Sequence, residues 1–382
     1  MDGTISKHIF MAGTISRFGV APISTHCWSG DKNFLSFSMN NEEVSVMKRG
    51  DGPGKWDTSS ILNQHDLLVT GIDWAPKTNR IVTCSADRNA YVWNLDVDGT
   101  WKHTLVLLRI NRAATCVKWS PEENKFAVGS GARLISVCHF ESENDWWVAK
   151  HIRKPIKSTI TALDWHPNNC LLAAGSSGFK MRVYSAYVKE IEKQPDETSW
   201  GDETPFQNPI VEFSNSLQGG GWVHSVSFSG DGNRLAWVSH DSSISVADAT
   251  RQMEVFRLKT EHLPFLSCLW ISPDTIVAAG YGSYGYAPSI FKVHASNQVE
   301  FVSELEVTKR DSTDTALKGK IKNIWKDRTY KDDTVLPTTH QGQISCIQIH
   351  AGTKYNAKKI STSGGDGKIV VWDLTAIKKL NS

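Results

Sequence analysis

From Ile23 to Leu374, apolar and polar residues alternate with a period of two over short stretches, the pattern of half-buried strands. Polar turns rich in Pro, Asn, Gly and Asp separate them. One line recurs seven times, starting at Ile23, Val69, Ala114, Ile160, Val223, Leu266 and Ile344. A clear copy is "VTGIDWAPKTNRIVTCSADRNAYVWNL": a strand, a polar turn, a second strand, a Gly/Asp/Ser turn and a third strand.

The bulky residue closing the first strand of each copy is Trp28, Trp74, Trp119, Trp165, Phe228, Trp270 and Ile349, at intervals of 46, 45, 46, 63, 42 and 79 residues. Four intervals match the ~40–45-residue period of a four-stranded propeller blade, so the other two carry insertions. The expectation is an all-β, seven-bladed propeller over 16–380, preceded by an N-terminal extension, 1–15, and interrupted by insertions at 187–209 and 307–338. After Trp372 too little chain remains for an outer strand on the last blade. The stretch Ser16 to Pro22, ahead of the first copy, is expected to supply it and so join the termini.

Composition narrows the function. Forty-two basic residues against 40 acidic leave a net charge of +2, so no global field draws the chain to nucleic acid or anionic membrane. Seven cysteines are widely spaced, without a C-x-x-C pair, and read as small buried hydrophobes in a reducing compartment. No signal-peptide core, ~20-residue apolar run or N-x-[ST] sequon occurs. A soluble cytoplasmic protein without membrane insertion follows as the expectation. Fifteen tryptophans suit a repeat that needs one bulky aromatic per unit.

No catalytic motif emerges. "SGGDGK" at 363–368 lacks P-loop spacing; H-E-x-x-H, G-x-S-x-G and zinc-spaced Cys/His clusters are missing from the sequence. A non-enzyme with no cofactor and no metal is expected. Two copies do hold a polar set: His65, Thr83, Asp87 and Trp93, and His340, Thr362, Asp366 and Trp372. Because the set recurs at blade spacing instead of converging on one site, it reads as structural: Asp binds His, and His meets a Thr hydroxyl and an indole N–H. Trp93-Asn94 and Trp372-Asp373 end their copies as the WD dipeptide does, and the chain resembles the WD-repeat family. Elsewhere Met47, Cys138, Tyr184, Ala247 and Lys292 replace that Trp; blade packing depends more on size and alternation than on the dipeptide.

Three stretches fall outside the repeat. The acidic insertion 187–209 reads either as a solvated rim loop or as a partner-docking loop anchored by Trp200 and Phe206. "ENDWWVAKHIRKPIK" starts an outer strand in which Trp146 and Trp147 face opposite ways, followed by cations that could meet an acidic partner. In 307–338, "LKGKIKNIWKDRTYK" places Leu317, Ile321, Ile324 and Trp325 at i, i+4, i+7 and i+8, a stripe about 100° wide flanked by Lys318, Lys320, Lys322 and Lys326. Gly319 costs on the order of 1 kcal/mol of helix propensity, so such a helix needs something to dock against: its own propeller, an anionic membrane surface or a partner.

Longer runs, among them "LRINRAATCVKWSPEENKFAVGSGARLISVCHFESENDWWVAKHIRKPI" and "GGWVHSVSFSGDGNRLAWVSHDSSISVADA", closely resemble the propeller subunits of the actin-related protein 2/3 complex over most of Ile23 to Leu374. The resemblance implies a non-catalytic scaffold that supports nucleation of branched actin filaments. Implied partners are the other complex subunits, the actin filament and nucleation-promoting activator peptides, within the cytoplasmic actin cytoskeleton. By position Leu317, Ile321, Ile324 and Trp325, with Lys320 and Lys322, match that family's filament-facing insertion. A stand-alone adaptor propeller for another protein or a phosphoinositide is the alternative.

Overall fold

In the computed structural model, residues 8–11, 13–52, 54–201, 205–214, 220–282, 286–296, 298–307 and 338–375 are described. Their strands form seven sheets in chain order, the blades of a propeller, antiparallel but for one added edge strand. Blade one comprises Thr25–Trp28, Phe34–Ser38, Val44–Arg49 and Trp56–Leu62. Blade two runs from Val69–Ala75 to Trp101–Val106, blade three from Ala114–Trp119 to Trp146–Ile152, blade four from Ile160–Trp165 to Pro209–Ser214 and blade five from Val223–Phe228 to Glu254–Lys259. Blade six spans Phe265–Ser272 to Val299–Val307, and blade seven has Ile344–Ala351, Lys359–Gly364 and Lys368–Asp373.

The core lies between blades. Each second strand is nearly all apolar or small and buried on both faces, as in Lys125–Ser130, Leu171–Ser176 and Thr275–Gly280, because neighbouring blades cover it on either side. Trp74, Trp119, Trp165, Phe228 and Trp270, named from spacing alone, are all buried in these seams.

A second regularity is invisible in the sequence. The inner strands of blades two to seven each slip register between their first and third residues, as at Val69/Gly71, Ala114/Cys116 and Ile160/Ala162. A bulge re-aims the residue it sets free. At four bulges that residue is Thr or Ser, and its hydroxyl donates to a carbonyl at or just before the start of the next blade: Thr70 to Ala114 (3.0 Å), Thr115 to Ile160 (2.6 Å), Thr161 to Val223 (2.5 Å) and Ser345 to Ile23 (2.6 Å). Asp73 and Asp164 add ties by accepting the backbone N–H of Trp119 and Phe228, each at 2.7 Å.

The ring closes near the place expected, with different bounds. The outer strand of blade seven is Gly13–Arg17, antiparallel to Lys368–Asp373, so it precedes most of Ser16–Pro22; the N–H groups of Phe18 and Ile23 still donate to Gly367 O and Gly364 O of blade seven, while the Phe18 ring packs on Phe37 of blade one. The 1–15 segment also holds a strand that sequence reading missed, His8–Met11, which runs parallel to the last strand of blade six as its fifth member. The 317–326 helix expected from periodicity lies outside the described residues.

Buried histidines are expected to make the ring acid-sensitive. His26, wholly enclosed at the seam of blades one and seven, is pushed down to about 3 by burial and then by nearby cations; burial pushes His224 and His350 to about 4. A depressed histidine pKa means that the unfolded chain takes up the proton first. Stability is therefore expected to fall as pH drops from about 6.5 toward 4, with His26 contributing a slope of about 1.4 kcal/mol per pH unit. Urea midpoints across that range test this; a flat profile between pH 6.5 and 4.5 contradicts it.

Candidate interaction surfaces

The two polar sets assemble as closed chains. In blade two, Trp93 Nε1 donates to Thr83 Oγ1 (3.0 Å), Thr83 Oγ1 meets His65 Nε2 (2.8 Å) and His65 Nδ1 meets Asp87 Oδ2 (2.8 Å). One tautomer satisfies all of it: Nδ1–H donates to the carboxylate, and Nε2 accepts the hydroxyl proton. In blade seven, Trp372, Thr362, His340 and Asp366 repeat the chain at 2.8, 2.8 and 3.0 Å. Burial opposes the charge of Asp366, but its bonds to His340, the N–H of Gln341 and Lys368 hold its pKa well below the carboxylate range. Every member has a partner inside its own blade, so nothing in either set points at a substrate.

A third set was missed. His26 bridges Ser363 (Nδ1, 2.9 Å) and Ser361 (Nε2, 2.8 Å), and Trp28 Nε1 donates to Ser361 (2.8 Å). It joins blade one to blade seven across the closing seam. No motif marks it, since its members come from opposite ends of the chain. Among the described residues no group of three or more His, Cys, Asp or Glu is placed to hold a metal.

In the acidic insertion Trp200 and Glu192 are held against the propeller, while Glu190, Asp196 and Glu197 are exposed. Trp200 is 3% exposed; its ring meets Phe228 edge-on at 5.7 Å, and its Nε1 donates to Gly232 O at 2.7 Å. Glu192 reaches back to Lys125, whose ammonium is fully enclosed, at 2.5 Å, and accepts from the N–H of Val188 at 2.8 Å. Lys125 also donates to Ala186 O (2.8 Å) and lies 5.1 Å from the Trp165 ring centroid. Phe206 packs part-buried against the seam of blades three and four. The acids are thus partly internal counter-ions, and the loop covers the turns between first and second strands in blades three to five. On that same face Lys354 of blade seven reaches across to Asp164 (2.6 Å). Of the tandem tryptophans, Trp147 is buried and Trp146 is 55% exposed, with its N–H on Glu141 at 3.0 Å.

The basic insertion has a described base. It leaves blade six after Glu306 and returns at Thr338, and Glu306 accepts from the N–H of Thr339 at 3.0 Å and from its hydroxyl. Thr338 Oγ1 donates to His340 O (2.8 Å) and accepts from Tyr286 N (3.3 Å). The two ends are therefore pinned together beside the His340 polar set. Leu317, Lys320, Ile321, Lys322, Ile324 and Trp325 themselves fall outside the described residues.

Comparison with known proteins places this geometry. The model of the WD domain, G-beta repeat, matches residues 56–94, 150–185 and 333–373; the first two matches join the outer strand of one blade to the first three strands of the next, and the third takes in the three strands Ile344–Ala351, Lys359–Gly364 and Lys368–Asp373 of blade seven. The chain is 51% identical over 368 residues to actin-related protein 2/3 complex subunit 1A-A of Xenopus laevis, covering 96% of this chain and 97% of that one. It is 42% identical to subunit 1 of the same complex from Schizosaccharomyces pombe (92% and 97% covered) and 37% identical to subunit 1B from Arabidopsis thaliana (94% and 96%).

Proposed function

Since the chain belongs to the actin-related protein 2/3 complex subunit 1 family, we propose that it serves in that complex as a non-catalytic scaffold subunit that also contacts actin, supporting nucleation of branched filaments in the cytoplasmic actin cytoskeleton. Near full-length identity to the named relatives carries this reading. The propeller supports it physically, because the polar sets are consumed within single blades and at the closing seam, and the loops remain for partners.

The finer part of the proposal concerns the 307–338 insertion. Its pinned base is what a contact arm needs, since tying both ends at one seam limits the positions the intervening residues can take. We assign Leu317, Ile321, Ile324 and Trp325 to the apolar contact with the actin filament or with activator peptides, and Lys320 and Lys322 to its charged border. Burying four such side chains contributes at most ~6–12 kcal/mol gross, much of it offset by ordering and lost association freedom. The contact is weak alone and effective as one of several within an assembly. The double substitution Ile324→Asp/Trp325→Asp is expected to lower co-sedimentation of the assembled complex with filaments while the subunit still co-purifies stoichiometrically with its partners. Unchanged co-sedimentation refutes the contact. A wild-type chain that purifies without any complex subunit identifies a stand-alone adaptor instead.

A further inference from the structure

The two faces of the ring are dressed differently. One carries the turns between first and second strands, which the chain itself covers with the acidic insertion and Lys354. The other is built from the blade-to-blade entry loops and the turns between second and third strands. Backbone bonds from Ala86 to Leu68 O, Gly131 to Ala113 O, Ser177 to Thr159 O and His240 to Trp222 O set these side by side.

On this second face, over blades three and four, the loops 107–113, 131–134, 153–159 and 177–179 hold Arg109, Arg112, Arg133, Arg153, Lys154 and Lys157 and not one Asp or Glu. All six cations are exposed. The lysines just below them are already matched, Lys150 by Glu190 and Lys180 by Glu212; the six have no such carboxylate among the described residues.

Three arginines on this face sit where the backbone resists them, Arg109 at φ 52° among them. Arg133 has φ 58°, and Arg88 of blade two, on the same face, has φ 75°; both occupy the turn position that Gly367 fills in blade seven at φ 67°. A side chain in the left-handed region carries a steric cost that glycine avoids. Large exposed apolar side chains lie on the same face, including Leu67, Leu107 and Trp222 at 53%, 61% and 51% exposure. Where the patch meets the rim, Lys154, Pro155, Phe206 and Pro209 line a groove of about 340 Å³.

We infer that the entry-loop face of blades two to four is a docking surface for an acidic segment of another subunit of the complex. The inference rests on the reading of the chain as a complex subunit and names the face and chemistry of one of its contacts. Cations without a carboxylate partner, beside exposed apolar groups, fit a peptide whose carboxylates meet the arginines and whose apolar side chains cover Leu107 or enter the groove beside Phe206. An anionic bilayer fits less well. Glu42, Asp66 and Glu261 stand exposed on the same face over blades one, two and six, and a flat negative surface would press against them.

The test is reconstitution by co-expression with the remaining complex subunits, using Arg109→Glu/Arg112→Glu/Arg133→Glu and, separately, Lys154→Glu/Lys157→Glu in the full chain. Incorporation is expected to fall by at least about tenfold at unchanged thermal midpoint, and wild-type incorporation to weaken as salt rises. Cross-links from Lys154 and Lys157 should fall in an acidic stretch of one subunit. Normal incorporation of both variants overturns the inference. So does an outcome in which the variants lose only binding to phosphoinositide-containing vesicles. A wild-type chain that fails to incorporate overturns the subunit reading itself, whereas variants failing beside a competent wild type locate the contact.

Discussion

A chain lacking residues 1–18 is expected to lose ring closure, unfolding at least about 3–5 kcal/mol more easily than the full chain. The deletion removes the whole Gly13–Arg17 ladder from blade seven. It also removes the Ser16 hydroxyl that accepts from Trp56 Nε1 (3.0 Å) and the Phe18 ring, 4.5 Å from that of Phe37. Gly367 packs so closely under this segment that a Cβ there would stand 2.5 Å from Gly19 O, which shows how tightly the terminus is seated. Deleting only 1–12 is the control. It strips the fifth strand from blade six, an edge addition of four residues, and should cost no more than about 1–2 kcal/mol. Denaturant unfolding of the three chains tests both numbers; equal stability of the 1–18 deletion and the full chain rules out closure by this strand.

Trp200→Ala is expected to destabilise the protein by about 3–5 kcal/mol, with the thermal midpoint falling by several degrees. The indole fills a site against Phe228 and satisfies the Gly232 carbonyl, so truncation leaves both a cavity and an unpaired acceptor. Trp146→Ala should change stability by less than about 0.5 kcal/mol, since that ring is more than half exposed. The pair is diagnostic because both tryptophans stand in charged stretches where either could have been a docking anchor. If Trp200→Ala leaves the midpoint unchanged and weakens partner binding instead, the loop is an arm after all.

The same pair shows why one part of the molecule was legible and another was not. Trp74, Trp119 and Trp165 could be placed in the core from spacing because their neighbours repeat, and a repeat reports its own environment. Trp200 stands in an insertion with no repeat partner, so its surroundings were not written locally. Its acids misled for the same reason: Glu192 looks solvated until Lys125, 67 residues earlier, is found beneath it. The His65 and His340 sets lay within single copies and were legible; the His26 set joins residues 335 and 337 apart and was not. The basic face belongs to both kinds. Each loop's charge is plain in the sequence, while their convergence over blades two to four needs the ring.

Sequence alone determined the number of blades, the buried aromatic of blades one to six and the two polar sets, because all of these depend on alternation and spacing within about 45 residues. Tertiary structure decided where the N-terminal strands pair, that Glu192 and Trp200 of the acidic loop seat against the propeller, and which residues tie one blade to the next. Those are contacts between segments far apart in the chain, and the pattern along a strand specifies that a face is buried but not what buries it.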